Sequence, residues 1–293
     1  MPNRPIAGPA LLLAAFIIAS VSLAGSVSAQ SLNLEGQTGG MATPFAYVIE
    51  SRPGHVGAPA AGFHWLKGGD KVGNRFQMSL IIGFLGRLEV GYTKGAVSHA
   101  SEGSIDTDEV AKIFDRGFMI VHAKAMLVPE NSGGTNAPAV SVGFAYRFQR
   151  SSLEGVPGSQ VKNGDVYVVA TKTIGQIKQA PIVISGGVKG TNATPFSFAG
   201  NSTGWVARGF VFGGLKLGGK VLVGAEYAQQ PREIDGVPDV NMPATTAFLV
   251  RLVPDPKGKL SLEASLVSLG GDIGGGVDIK ANNRFALGIG YRF

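Results

Sequence analysis

The 293-residue sequence predicts an all-β protein: an antiparallel, up-and-down transmembrane β-barrel of about twelve strands. Three observations lead there. An apolar N-terminal stretch with a small-residue exit precedes a chain that has no second apolar run of membrane-helix length. After residue 57, apolar side chains recur at every second position. The links between these segments alternate between short and long, as in barrels with short periplasmic turns and longer outside loops.

The leader comes first. Arg4 supplies a positive start, "IAGPALLLAAFIIASVSLAG" carries no charge, and Val27 and Ala29 place small side chains where a signal peptidase cuts. Residues 1–29 therefore read as a cleaved secretory signal peptide, with the mature chain starting at Gln30. An exported chain with no cysteine has neither a disulfide framework nor a thiolate metal site. Charged residues make up only 16% of the chain and glycine contributes 44 residues, too little charge for the surface of an ordinary soluble domain of this size. The net charge of +6 is dispersed along the chain, which argues against nucleic acid as a partner.

The strands follow in order, at about 57–67, 74–84, 86–95, 116–128, 138–149, 164–173, 180–190, 203–215, 219–229, 244–253, 258–269 and 283–293. In "NRFQMSLIIGF" one face carries Phe76, Met78, Leu80, Ile82 and Phe84. In "PAVSVGFAYRFQ" Val140, Val142, Phe144, Tyr146 and Phe148 oppose Ser141, Gly143, Ala145, Arg147 and Gln149. "GKVLVGAEYAQ" and "KLSLEASLVSL" repeat the pattern. A strand of about ten residues is long enough to cross a bilayer when tilted. The last strand, "NNRFALGIGYRF", ends the chain on an aromatic. Apolar side chains facing lipid need no further protein to cover them, and barrel closure removes unpaired edges. Tyr291 and Phe293 resemble the C-terminal signal read by the outer-membrane barrel-assembly machinery, which makes that machinery and the lipid bilayer the expected partners.

Residues 30–56 precede the barrel (57–293) and are rich in glycine and proline. Three arrangements are open to them: a plug inside the lumen, an extra edge strand, or a periplasmic segment. Within them, "GQTGGMATPFAYV" is similar to the Gly-rich opening of the YjbH-like family of outer-membrane proteins. "GRLEVGYTKG", "AKAMLVPENSGGTNAPAVSVGFAY", "VYVVATKTIG" and "VLVGAEYAQQP" resemble that family's succeeding strands in order. The resemblance implies an outer-membrane barrel linked, in some members, to exopolysaccharide production or export.

No catalytic constellation emerges. "GLKLGGK" (Gly214–Lys220) has the spacing of a phosphate-binding loop, but Val221 stands where Ser or Thr is needed and a hairpin turn is expected there. There is no nucleophile elbow and no zinc-protease motif. His55, His64, His99 and His122 are scattered, and Asp106, Asp108 and Glu109 read as a solvated loop. No cofactor and no metal is expected. Charged residues within strands are more telling, because a charge on the lipid face near the midplane costs about 2–4 kcal/mol. Glu89, Lys124, Arg147, Lys172, Lys189, Glu226, Arg251 and Glu263 are therefore expected to line the lumen. Cross-wall pairs are expected for Glu89 with Lys124, for Glu226 with Arg251, and for Arg251 with Glu263. Such charges either pack a narrow barrel and fix its register, or make a basic-leaning pore for an anionic solute or polysaccharide. The expected function is a non-enzymatic outer-membrane barrel, a pore or accessory in envelope biology. The alternative is a closed surface barrel whose outside loops bind partners.

Overall fold

The computed structural model describes residues 31–68, 74–97, 118–149, 161–177, 180–193, 201–232, 240–241, 244–255, 257–269, 272–273 and 281–293. The expected signal peptide, His99 and the acidic group Asp106, Asp108 and Glu109 lie outside the described residues.

The strands are β1 (Ala60–Lys67), β2 (Asn74–Phe84), β3 (Leu88–Val97), β4 (Met119–Val128), β5 (Ala139–Phe148), β6 (Lys162–Ile177) and β7 (Ala180–Ala193). They continue with β8 (Asn201–Leu217), β9 (Val221–Gln229), β10 (Val240–Asn241), β11 (Ala244–Leu252), β12 (Leu260–Leu269), β13 (Asp272–Ile273) and β14 (Ala281–Arg292). All but β10 and β13 form one closed barrel of twelve strands, each paired antiparallel with its chain neighbours. β10 and β13 pair only with each other. Closure is made by β1 against β14, from Ala60 opposite Arg292 to Leu66 opposite Ala286. Beyond that ladder, the Phe293 amide donates to the Pro59 carbonyl at 3.1 Å.

The every-second-residue pattern decides which face is which. Met78, Leu80, Val90, Tyr92, Phe144, Tyr146, Val166, Val168, Phe248, Leu287 and Ile289 are exposed on the outside. Their sequence neighbours Gln77, Ser79, Glu89, Thr93, Ala145, Arg147 and Tyr167 are buried inside. An outer apolar surface over a polar interior is the arrangement a bilayer requires and water does not. Aromatic rings cluster on this outer surface, with Phe63 6.4 Å from Phe76 and Trp65 6.3 Å from Phe285 between ring centroids.

The turns joining β2–β3 and β8–β9 are tight, and both Pro59 and Phe293 lie at the same end of the barrel. "GLKLGGK" forms the end of β8 and the turn to β9, where Gly218 and Gly219 hold φ of +54° and +70°. That left-handed backbone suits glycine and a hairpin, not a phosphate-binding helix start.

A twelve-strand barrel has an interior wider than the eight-strand size that side chains alone fill. Residues 31–51 occupy that interior. Leu32, Leu34, Met41, Phe45, Ala46 and Ile49 are buried there although the segment forms no long strand or helix. It enters at the short-turn end, where the Ser31 hydroxyl lies 3.2 Å from that of Ser261 near the start of β12. It turns back on itself through the bridges Leu32–Thr38 and Gly39–Pro44. It leaves at the same end, where Val56 bridges Phe84 and the chain continues into β1. The segment is thus a re-entrant plug inside the barrel.

Candidate functional site

The site is the interface between plug and wall. A segment without its own ladder must find other partners for its backbone N–H and C=O groups when water is excluded. Inward side chains of the strands supply them.

Glu89 (β3) and Lys124 (β4) stand opposite each other in the register, and their charged groups are 3.0 Å apart with both side chains fully buried. Lys124 Nζ also donates to the carbonyls of Thr38 and Phe45 at 3.1 and 2.9 Å. Glu89 accepts from the Thr38 hydroxyl at 2.8 Å and from the Ile49 amide at 2.9 Å. The ion pair therefore clasps two limbs of the plug at once.

Arg147 (β5) holds Glu35 of the plug in a two-pronged contact, at 2.8 Å from Nε and 2.5 Å from a terminal nitrogen. The same terminal nitrogen lies 2.8 Å from Asp165 (β6), which Lys189 (β7) approaches at 3.7 Å. Such forked, charge-assisted bonds fix orientation as well as adding energy. Glu226 (β9) accepts the amides of Ala42 and Thr43 at 2.7 and 3.0 Å, and the Thr43 hydroxyl at 2.7 Å. Arg251 (β11) pairs with Glu263 (β12) at 2.6 Å and donates to the Gly39 carbonyl at 2.9 Å.

Neutral groups complete the seat. Tyr167 donates its phenol proton to Gln37 Oε1 at 3.0 Å, and the Ala46 amide donates to Thr171 Oγ1 at 2.7 Å. Phe45 packs on Phe212 with ring centroids 4.7 Å apart. Ala46 sits among Ala139, Tyr167, Val169, Phe210 and Ala228. At the short-turn rim the Tyr47 phenol donates to Glu130 at 2.7 Å. Burial is the largest influence on that phenol and raises its pKa, so it stays protonated and a donor.

Two glycines of "GQTGG", Gly36 and Gly40, are explained by the wall, and Gly39 by the plug's own turn at Thr43. A Cβ on Gly36, whose φ is +86°, would lie 2.2 Å from Thr93 Oγ1. One on Gly40 would lie 2.5 Å from a Glu226 oxygen. The plug backbone lies closer to the wall than any side chain allows.

Glu89, Lys124, Arg147, Lys189, Glu226, Arg251 and Glu263 all sit on the inward face. Two expectations are corrected. Lys172 does not line the lumen. It shares its side of β6 with Val166, Val168 and Ile174, and its ammonium folds back to Asn131 Oδ1 at 2.5 Å and the Ala137 carbonyl at 3.3 Å. A long apolar stem lets a lysine leave an apolar face for the rim. Glu226 does not pair with Arg251. Glu226 stands opposite Ala247, and Arg251 stands opposite Leu222 and Glu263. Sequence reasoning also missed Asp165, which alternates in phase with Tyr167 and Val169. The plug residues Glu35, Thr38 and Thr43 carry no periodic signal and were missed for that reason. Tyr291 and Phe293 lie on the outer surface with ring centroids 5.3 Å apart. His64 and His122 are buried on the inward face, and no group of three metal-ligating side chains occurs among the described residues.

The model for "Protein of unknown function (DUF3034)" matches residues 28–281. The chain belongs to the DUF3034 family. A search of curated proteins found no match. Among solved structures this DUF3034 chain is similar to the KdgM porin, with 8% identity and a TM-score of 0.50 over 80% of this chain and 99% of that one. It is also similar to the NanC porin, with 10% identity and a TM-score of 0.46 over 80% and 99%. A third likeness is to outer membrane phospholipase A from Escherichia coli, with 10% identity and a TM-score of 0.42 over 81% and 92%. At such identities the likeness is one of fold, and a fold hosts unrelated functions. The DUF3034 chain has the fold of outer-membrane β-barrels.

Proposed function

We propose that the protein is a non-enzymatic outer-membrane barrel whose lumen is shut by its own N-terminal segment, a gated conduit in envelope biology. The observation that carries this reading is that the inward charges hold plug backbone in place of solute: Glu89, Lys124, Glu226 and Arg251 are all bonded to residues 38–49. A lumen so occupied conducts only when the segment moves. The exposed apolar outer face supports a bilayer as its surroundings, and cleavage after Ala29 belongs to the same reading. The likeness of the chain's Gly-rich motifs to YjbH-like proteins favours a part in exopolysaccharide export. The wall supports an anionic cargo. Once the plug leaves, Arg75, Lys124, Arg147, Lys189, Arg208, Lys216 and Arg251 face Glu89, Asp165, Glu226 and Glu263.

Planar-bilayer recording tests this. The intact barrel is expected to stay closed, and a variant lacking residues 31–51 to conduct with a preference for anions. Equal conductance of the two removes the gate. No conductance in either supports the closed surface barrel that acts through its outside loops.

A further inference from the structure

The plug does not fill the barrel to its short-turn rim. Between its returning limb and the wall lies an open cavity of about 380 Å³. Tyr47 and Ile49 of the plug, Met126 of β4 and Thr173 of β6 give it apolar and hydroxyl surface. Glu50, Glu130 and Lys216 are its charged groups, and Glu50 is paired with Arg292 of β14. Glu130 is already engaged: one oxygen accepts from Tyr47, the other from the Thr173 amide, and Lys172 stands 3.7 Å away. Lys216 is not. Lys124, Arg147, Lys189 and Arg251 each meet a carboxylate on the inward face. The Lys216 ammonium makes no hydrogen bond and no ion pair among the described residues, although it lines the cavity. Basic side chains also stand at this end of the barrel, Arg52 and Lys257 exposed among them, and they favour the approach of an anion.

We propose that this mouth is a binding site for a small amphipathic anion: one acidic head group on Lys216 and a compact apolar body against Tyr47, Ile49 and Met126. The cavity size suits a small molecule and excludes a long-chain lipid. A carboxylate on Lys216 supplies the hydrogen-bonded partner that Glu130 does not, and the apolar lining is of the kind that buries the rest of a ligand. The site depends on the fold and on the seated plug, not on gating, so a failed conductance test leaves it standing.

Calorimetric titration of the full mature barrel in an uncharged maltoside detergent tests it, with sodium octanoate as the probe and octylammonium and octanol as controls. Saturable binding of octanoate is expected, with none for the controls. Lys216→Gln is expected to weaken it by about 10-fold or more, the order of one charge-assisted hydrogen bond. Met126→Trp, which fills the cavity without touching the charge, is expected to abolish it. Heat-modified gel mobility reports whether each variant is folded, and either folded variant suffices. Octanoate heats equal to those of empty micelles, or saturable binding that a folded variant leaves unchanged, would overturn the proposal.

Discussion

Lys124 and Glu89 are buried together with plug backbone on either side of them, so neither can lose the other cheaply. Removing one member of a buried pair leaves an uncompensated charge and costs about 3–5 kcal/mol, whereas removing both is often mild. Lys124→Met is therefore expected to lower the temperature of the gel-mobility shift sharply, and Glu89→Gln with Lys124→Met to be milder than the worse single change. Additive effects in that cycle would mean the two residues act independently. This pair was legible in the sequence because both residues interrupt an apolar alternation on neighbouring strands. Glu226 shows where such reading stops. Its inward direction follows from parity, but its neighbour follows from register, which the alternation of side chains alone does not give. Lys172 differs: the alternation of Val166, Val168 and Ile174 places it outside, and a long stem carries its charge to the rim without turning inward.

At the scale of elements, the strands were legible and the plug was not. Period two survives in β2, β3, β5, β9 and β12 because each has lipid on one side and polar lumen on the other. The plug has neither periodicity nor ladder, since its contacts are chosen by inward side chains from strands far along the chain. Its glycines were visible, but the Thr93 and Glu226 atoms that require them were not. Gly36→Ala places a Cβ against Thr93 and Ser79 at a positive φ, and is expected to unseat the plug while leaving the barrel closed. Raised conductance with an unchanged gel-mobility shift of the barrel is the expected result; a silent, closed channel would show that the wall yields instead. The turn between β11 and β12 makes a pH prediction. Slight burial raises the Asp255 pKa, but the amides of Lys259 and Leu260, donating at 2.9 and 2.8 Å, outweigh it and hold the carboxyl below its usual value. A depressed carboxylate pKa means the stabilisation is complete above the ordinary aspartate range, about 3.9, and is lost as pH falls through the folded value. Amide exchange at Lys259 and Leu260 should therefore quicken, relative to other turn amides, only in that acid window, and Asp255→Ala should remove the difference.

For the whole molecule, closure rests on the β1–β14 ladder, and Phe293 adds one backbone bond to Pro59 and an exposed ring. A ring on the rim contributes about 1–3 kcal/mol at most, too little to decide whether a closed barrel holds. Deleting Phe293 is expected to lower the amount inserted in cells while sparing refolding in micelles, the pattern of a residue read during assembly. Equal loss in both settings would make it structural. The path of the plug has a separate consequence. Because the segment goes in and comes out through one opening, nothing is threaded. The cylinder can be completed first and corked afterwards, with the cork tethered to β1 through residues 52–59 and so held at high local concentration beside its seat. Zipping of the wall therefore does not require the tether to be docked, and the cylinder can close empty and receive it later.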